Sequence, residues 1–251
     1  EWYKRKAGER PAAQTLIANY PLIGLKTVAE FSQAAGVSSP TILRFVARIG
    51  FGNYPEFQLA LQDELAAQLQ SPASRTAVAP VQGSEPSVAI EATLENIRET
   101  FRHVSERQIA DIVALLANPR SKTLLVGGRF TDPVARYMAA HLTIIRPNVL
   151  HLSDQESNWR DRLIGMGRGD GLLVFDIRRY QEGLLRFAET AHARGIQVVL
   201  FTDQWLSPIA RFARHTIAGR TAAPSPWDSS AALFVVAETL VGELTRKLDP
   251  D

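Results

Sequence analysis

The chain has 251 residues, of which 45% are hydrophobic, 22% are charged and none is cysteine. This length and apolar content suffice for two compact domains with buried cores, and the lack of cysteine excludes disulfides and thiol chemistry. Basic residues outnumber acidic ones by seven to three up to Pro55, which suits contact with phosphate, although a solvated charged surface is the alternative. No apolar run reaches membrane-spanning length and the first residues lack a signal-peptide pattern. We therefore expect a soluble, cytoplasmic protein with no membrane partner.

The first elements are predicted to be helices. Apolar spacing predicts one helix over 12–20, which Pro21 ends. Thr27 and Glu30 have the spacing of a capping box, in which each side chain bonds the other's backbone amide, so a second helix is expected to begin after Thr27. Gly36 stands where that helix must end and the chain must turn.

A third helix follows, with Ser38 as its predicted N-cap and Pro40 in its first turn. The side chains expected to face inward are those of Ile42, Phe45, Val46 and Ile49. The side chains expected to face outward are those of Ser39, Thr41, Leu43, Arg44 and Arg48. A helix held across another one, presenting hydroxyls and arginines, has the shape that enters a DNA major groove. Two packed helices of an ordinary bundle are the alternative on local pattern alone.

Residues 36–57 resemble the signature of the RpiR-type transcriptional regulators. The matching residues are Gly36, Val37, Ser38, Thr41, Arg44, Phe45, Arg48, Gly50, Phe51, Tyr54, Glu56 and Phe57. Leu43 departs from the small polar residue usual at its position, which favours apolar contact with a thymine methyl group. The resemblance implies binding to double-stranded DNA. The residues predicted to contact DNA are Thr27, Ser38, Ser39, Pro40, Thr41, Leu43, Arg44 and Arg48.

The rest of the first domain and the domain boundary follow from composition. Asn53 and Glu56 predict another capped helix that runs to about Leu69, so we predict an all-α helix-turn-helix domain over 1–70. The stretch 71–87 contains prolines, serines and a glycine without apolar periodicity, which is typical of a linker.

The second domain, over 88–251, is predicted to be α/β. It begins with helical patterns, the first of them marked by Ile90, Leu94, Ile97 and Phe101. Short apolar runs then alternate with amphipathic stretches, which predicts a parallel sheet sandwiched between helices. The predicted strands are Thr123–Val126, Val149–Leu152, Leu172–Phe175, Val198–Phe201 and His215–Ala218. Ligands bind such sheets at the carboxyl ends of the strands, so the predicted binding loops are 127–132, 176–181 and 202–207.

The second domain resembles a sugar isomerase (SIS) domain over roughly 88–247. The resemblance rests on the order of elements and on Gly169, Asp170, Arg194, Gly195, Thr202, Ser207 and Pro208. A helix-turn-helix followed by this domain is the architecture of the RpiR family. It implies a regulator whose DNA affinity is controlled by a metabolite, often a carbohydrate derivative, and which acts as a homodimer or homotetramer on a palindromic operator.

The binding loops differ from the family pattern at the positions that would hold a sugar phosphate. Only Gly127 and Thr131 match the first loop. In the second loop Asp176 would repel a phosphate and Arg179 would obstruct its approach. The predicted effector-binding residues are Gly127, Gly128, Arg129, Thr131, Asp176, Arg178, Arg179, Tyr180, Gln181, Thr202, Asp203 and Ser207. Three interpretations remain. The arginines bind a changed anionic ligand, or they pair with Asp132, Asp176 or Glu182 or reach across a dimer interface in a pocket that has lost its ligand, or the pocket binds an ordinary sugar phosphate.

Other features carry less information. Trp159, Trp205 and Trp227 lie near predicted loop ends, where a tryptophan stacks on a ligand or fills the edge of a core. Asp228 or Ser229 is the predicted N-cap of the last helix. The histidines are scattered singly and no nucleotide-binding or nucleophile motif occurs, so we predict no metal, no cofactor and no enzymatic activity. A sugar-phosphate isomerase and a metabolite-binding scaffold that does not bind DNA are the alternatives.

Overall fold

The computed structural model describes residues 9–69, 86–153 and 155–249. The chain divides into two compact units, Glu1–Gln70 and Ser71–Asp251, and each is described by itself. The basic start of the chain and most of the predicted linker lie outside the described residues. The last two residues predicted to be linker, Pro86 and Ser87, are helical. Within the described part of the chain, no helix is both long and apolar enough to cross a membrane.

The described part of the first unit is helical throughout. Its helices are α1 Arg10–Ala18, α2 Leu22–Leu25, α3 Val28–Ala35, α4 Ser39–Arg48 and α5 Tyr54–Leu69. Helix α2 was not predicted, and Pro21 stands at its N-cap. The core of this unit forms where α1, α3, α4 and α5 meet, and the rings of Phe31 and Phe45 pack edge to face in it at 6.5 Å.

The turn between α3 and α4 has the predicted geometry. The amide of Glu30 donates to Thr27 Oγ1 at 3.3 Å and the amide of Thr27 donates to Glu30 Oε2 at 3.0 Å, so the capping box is complete. Gly36 follows α3 with a φ of +63°, a left-handed conformation that glycine adopts without a steric penalty. These two features fix where α3 begins and ends, and hence where α4 starts.

Helix α5 is held against the loop before α3. The Tyr54 hydroxyl donates to the carbonyl of Lys26 at 2.9 Å, and burial raises the pKa of Tyr54 to about 12. The predicted capping box of α5 forms only in part. Asn53 accepts from the amide of Glu56 at 2.8 Å, but the Glu56 carboxylate accepts from the amide of Gly52 and not from that of Asn53.

The second unit is an α/β domain. Its helices are α6 Pro86–His103, α7 Glu106–Leu116, α8 Asp132–Ile145, α9 Glu156–Arg162, α10 Glu182–Ala193 and α11 Ala231–Leu248, with a 3-10 helix at Pro208–Arg211. Its strands are β1 Thr123–Gly127, β2 Val149–His151, β3 Gly171–Phe175, β4 Gln197–Asp203 and β5 His215–Gly219. The strand order is β2-β1-β3-β4-β5 and every neighbouring pair is parallel. The predicted parallel sheet is confirmed.

Alternate residues along the strands supply two separate cores. Leu125 and Leu173 face a core shared with α7, α8 and α11. Leu124 and Leu172 face the opposite core, shared with α9 and α10. Helices therefore cover both faces of the sheet, and the loops after β1, β3, β4 and β5 meet at one edge because parallel strands end on the same side.

The helix marked by Ile90, Leu94, Ile97 and Phe101 forms as α6, but the first half of its apolar stripe is exposed. Ile90 is 56% exposed and Leu94 is 38% exposed, and Val88 beside them is 42% exposed. The end of the same helix packs on the core through Phe101. The apolar stripe that predicted this helix is therefore buried at its C-terminal end and exposed at its N-terminal end.

Candidate functional site

One candidate site is the outer face of α4. Pro40, Leu43, Arg44 and Ala47 are exposed at the spacing of a single helix face, and Leu43 is 46% exposed. Arg44 Nη2 donates to Thr41 Oγ1 at 3.3 Å, a contact that leaves most of the guanidinium facing solvent. The face therefore presents one arginine, one leucine and small side chains.

The structure corrects two predictions about the faces of α4 and confirms the position of its N-cap. Thr41 was expected to face outward but is buried, with its hydroxyl 2.9 Å from that of Ser38. Ser38 occupies the N-cap, yet its side chain makes this bond in place of one to a backbone amide. Ile49 was expected to face inward but is 36% exposed, because the helix ends at Arg48.

Arg48 and Thr27 are also engaged within the protein. Arg48 Nη1 lies 2.7 Å from Glu9 Oε2, in an ion pair whose arginine side chain is 44% exposed. The Thr27 hydroxyl donates to Glu30 Oε2 at 2.7 Å in the cap of α3. The Ser39 hydroxyl is 3.2 Å from that of Ser32 on α3, so it ties the two helices together.

A second candidate site is a cavity of about 370 Å³ at the carboxyl edge of the sheet. The residues that line it are Gly128, Arg129, Phe130, Thr131, Asp176, Ile177, Arg178, Arg179, Gln181 and Trp227. Seven of the predicted effector-binding residues are among them. This is where ligands bind in open parallel sheets.

Asp176 forms the polar floor of the cavity. Its Oδ2 accepts from the Ser207 hydroxyl at 2.6 Å, and its Oδ1 lies 3.4 Å from the amide of Gln181, the N-cap of α10. Burial raises the pKa of Asp176 to about 6; the bonds from Ser207 and Gln181 lower it in part, and the neighbouring Asp203 raises it further. Within the described part of the chain, no cationic side chain forms an ion pair with this carboxyl group.

Arg178 is committed to a buried ion pair. Its guanidinium donates to both carboxylate oxygens of Asp228, one of them at 2.7 Å from Nε, and lies 4.6 Å from the centre of the Trp205 ring. The two charged side chains are 3% and 6% exposed. Arg178 was predicted to bind an effector; it lines the cavity, but Asp228 occupies its guanidinium, and its contact with a ligand stays a prediction. Asp228 or Ser229 was predicted to be the N-cap of the last helix, and this is wrong, because the N-cap of α11 is Ser230.

Arg129 and Arg179 differ from Arg178. Both are exposed at the mouth of the cavity, with their guanidinium carbons 5.3 Å and 5.2 Å from the centre of the Phe130 ring. In the described residues neither belongs to an ion pair. The other carboxylates proposed as partners are paired elsewhere, Asp132 with Arg136 and His151 and Glu182 with Arg186.

Five predicted effector-binding residues lie behind the cavity and not on its wall: Gly127, Tyr180, Thr202, Asp203 and Ser207. They hold the lining loops in place. The Tyr180 hydroxyl donates to Asp203 Oδ1 at 2.7 Å and the Thr202 hydroxyl donates to the carbonyl of Asp176 at 2.7 Å. A side chain on Gly127 would collide with the backbone of Asp132. In this structure the five residues support the loops, and their direct contact with a ligand stays a prediction.

Sequence reasoning missed part of the wall. Phe130 and Ile177 lie in the predicted binding loops but were not among the predicted effector-binding residues. Trp227 was only a weak candidate for contact with a ligand. Trp227 is 53% exposed and packs edge to face on Phe130 at 5.6 Å. Trp159, by contrast, is buried beside Phe187. In the described part of the chain, no cluster of three histidine, aspartate or glutamate side chains has the geometry of a metal site.

Two family models match the chain. The helix-turn-helix domain of the rpiR family matches residues 5–68 and the SIS domain matches residues 115–242. A comparison with curated protein sequences gives no match.

Solved structures share the fold at low identity. The sugar isomerase domain of an RpiR transcription factor from Sphaerobacter thermophilus is 20% identical with a TM-score of 0.62, over 67% of this chain and 93% of that one. The NanR protein of Vibrio vulnificus, solved in complex with ManNAc-6P, is 18% identical with a TM-score of 0.54, over 98% of this chain and 87% of that one. The phosphoheptose isomerase GmhA of Neisseria gonorrhoeae is 14% identical with a TM-score of 0.54, over 66% and 97%.

At these identities the structural likeness establishes the fold, while the two family models account for both units of the chain in the predicted order. The protein belongs to the RpiR-type family of transcriptional regulators, which join a helix-turn-helix to a SIS domain.

Proposed function

We propose that the protein is a sequence-specific DNA-binding regulator whose operator affinity is set by a small anionic metabolite in the SIS domain. The observation that carries the proposal is the exposed face of α4. It presents Arg44 and Leu43 on a helix that the complete capping box and Gly36 hold across α3. A helix so placed enters the major groove.

The side chains of this face suit different parts of a duplex. Arg44 is the candidate for a bidentate contact with guanine or a contact with phosphate, and Leu43 is the candidate for a thymine methyl group. Thr27, Ser38 and Pro40 lie near the starts of α3 and α4, where amides and hydroxyls contact the phosphate backbone. Arg48 contributes through its exposed side, while Glu9 fixes its position.

Replacement of Arg44 tests this proposal. We expect Arg44→Ala to weaken operator binding about tenfold to a hundredfold, because a good arginine contact to a base contributes roughly 1–3 kcal/mol. The operator is first found by selection from random duplexes, and affinity is then measured at two salt concentrations. Arg107→Ala is the matched control, since it removes an exposed arginine from the second unit. Unchanged affinity in an Arg44→Ala, Arg48→Ala double variant would show that α4 does not contact DNA.

The proposed effector is an anion held by Arg129 and Arg179. These two guanidiniums face the cavity mouth without carboxylate partners in the described residues, and guanidinium groups bind carboxylates and phosphates by paired hydrogen bonds. Phe130, Ile177 and Trp227 supply an apolar wall for the body of the ligand. The effector would act by binding differently to two states of the regulator.

We further propose that the protein acts as a homo-oligomer on a palindromic operator. The exposed apolar stripe on α6 supports this, because exposed apolar patches mark association surfaces.

The regulator proposal also distinguishes the protein from the isomerases that share its fold. Turnover of a sugar phosphate by the purified chain, lost in Asp176→Asn, would favour an enzyme instead.

A further inference from the structure

We propose that Asp176 determines the ligand specificity of the cavity. Its carboxylate occupies the anion position at the start of α10. The cavity is thereby selective for ligands that place their own anionic group on Arg129 and Arg179 and an ammonium group on Asp176. This inference rests on the proposed effector site and names the chemical class of the effector, a small zwitterion.

Asp176 takes up the hydrogen-bond donors at the floor of the cavity. The N-terminus of a helix attracts an anion through its free amides. Here the amide of Gln181 faces Asp176 Oδ1 and the Ser207 hydroxyl donates to Asp176 Oδ2 at 2.6 Å. The protein's own carboxylate therefore takes the donors that a bound anion would use, and a second anion there would be repelled.

In the described residues, no cationic side chain pairs with Asp176. Asp176 is buried at 2% exposure, and the nearby guanidinium of Arg178 is neutralised by Asp228. A buried carboxylate without a cationic partner is costly, and a ligand that brings a cation to it offsets that cost. An ammonium group supplies both the charge and three hydrogen-bond donors.

The opposite end of the cavity carries positive charge. Arg129 and Arg179 lie at the mouth, each beside the ring of Phe130, and both line the same cavity as Asp176. Positive charge at the mouth and negative charge at the floor orient a ligand with opposite charges at its two ends. A sugar phosphate with its phosphate at the floor would be placed the wrong way round.

The experiment measures binding of inorganic phosphate at pH 7 by calorimetry to the full chain and to Asp176→Ser, which frees the floor. We expect at least tenfold tighter phosphate binding by Asp176→Ser. Glu182→Ser is the matched control, since it removes the same charge from the first turn of α10 but outside the cavity. We expect no gain in that variant. Equal phosphate affinity in wild type and Asp176→Ser would overturn the inference.

A pair of probes tests the ammonium requirement. Glucosamine 6-phosphate and glucose 6-phosphate differ in one group, an ammonium in place of a hydroxyl. We expect the wild type to prefer the amine at least tenfold and Asp176→Asn to bind the two compounds alike. Equal affinity of the wild type for both would overturn the inference.

The regulator proposal is tested apart from this inference, because Arg44→Ala is read from DNA affinity alone. Normal operator binding together with a failed phosphate gain would reject only the role of Asp176. A thermal unfolding curve for each variant separates a change in binding from a loss of fold.

Discussion

At the scale of single residues, ionisation of Asp176 opposes folding. Burial raises its pKa to about 6 from an ordinary value of 3.8. Below the lower value the carboxyl group is protonated in both the folded and the unfolded states, so its ionisation does not lower the free energy of unfolding. Between the two values the unfolded chain loses its proton first, so the free energy of unfolding falls as pH rises. Above the higher value the penalty is complete, at about 3 kcal/mol.

Asp176→Asn removes that charge and keeps an oxygen for the Ser207 hydroxyl. We expect the variant to be more stable than the wild type at pH 7.5 by about 2 to 3 kcal/mol, with the difference shrinking as pH falls toward 4.5. Urea unfolding followed by circular dichroism across this range measures it. The exposed Glu182→Gln serves as the control. A stability difference that does not change with pH would contradict the raised pKa.

Residue positions were predictable where local spacing decides them and not where distant contacts do. The capping box of Thr27 and Glu30 needs only a three-residue spacing, and it forms as predicted. Helical periodicity correctly placed Arg48 on the surface. It could not show the ion pair with Glu9, because Glu9 is distant in the sequence, at the N-cap of α1. The prediction that Thr41 faces outward was wrong for a different reason, because its small side chain points inward and hydrogen-bonds to that of Ser38.

At the scale of elements, the pair of Arg178 and Asp228 joins the loop after β3 to the segment before α11. Breaking a buried ion pair by removing one partner costs about 3–5 kcal/mol, since an uncompensated charge stays behind. We expect Arg178→Met and Asp228→Leu each to lower the free energy of unfolding by this amount in chemical denaturation.

The double variant, Arg178→Met with Asp228→Leu, is expected to be more stable than either single variant. It leaves no unpaired charge, and apolar replacements of a buried pair are often neutral. Single variants that cost less than about 1 kcal/mol would mean that the pair is solvated in solution.

The elements themselves were largely predictable, and the missed part of the site has a clear cause. Buried strands are marked by short apolar runs, so all five strands were found within a few residues. The segment before α11 follows β5, whose end lies at the same edge of the sheet as those of β1, β3 and β4. Applying the rule of carboxyl ends to β5 as well would have selected the loop that carries Trp227 and Asp228.

At the scale of the whole molecule, the exposed stripe of α6 provides the test of the proposed oligomer. We expect Ile90→Asp with Leu94→Asp to shift the sedimentation coefficient toward that of the monomer and to weaken operator binding, because a palindrome is read by two linked heads. Both side chains are exposed, so the thermal stability of the subunit should change little. Arg98→Asp on the same helix is the control for charge alone. An unchanged sedimentation coefficient would place the interface elsewhere.

Trp227 gives the molecule a built-in optical reporter. Its indole is half exposed at the cavity mouth, in edge contact with Phe130, while Trp159 is buried in the opposite core and Trp205 lies under Arg178. Indole emission shifts when water leaves the ring, so filling the cavity should change the intrinsic fluorescence of this residue most among these three. Screening of metabolites therefore needs neither a label nor an operator, and Trp227→Phe supplies the blank.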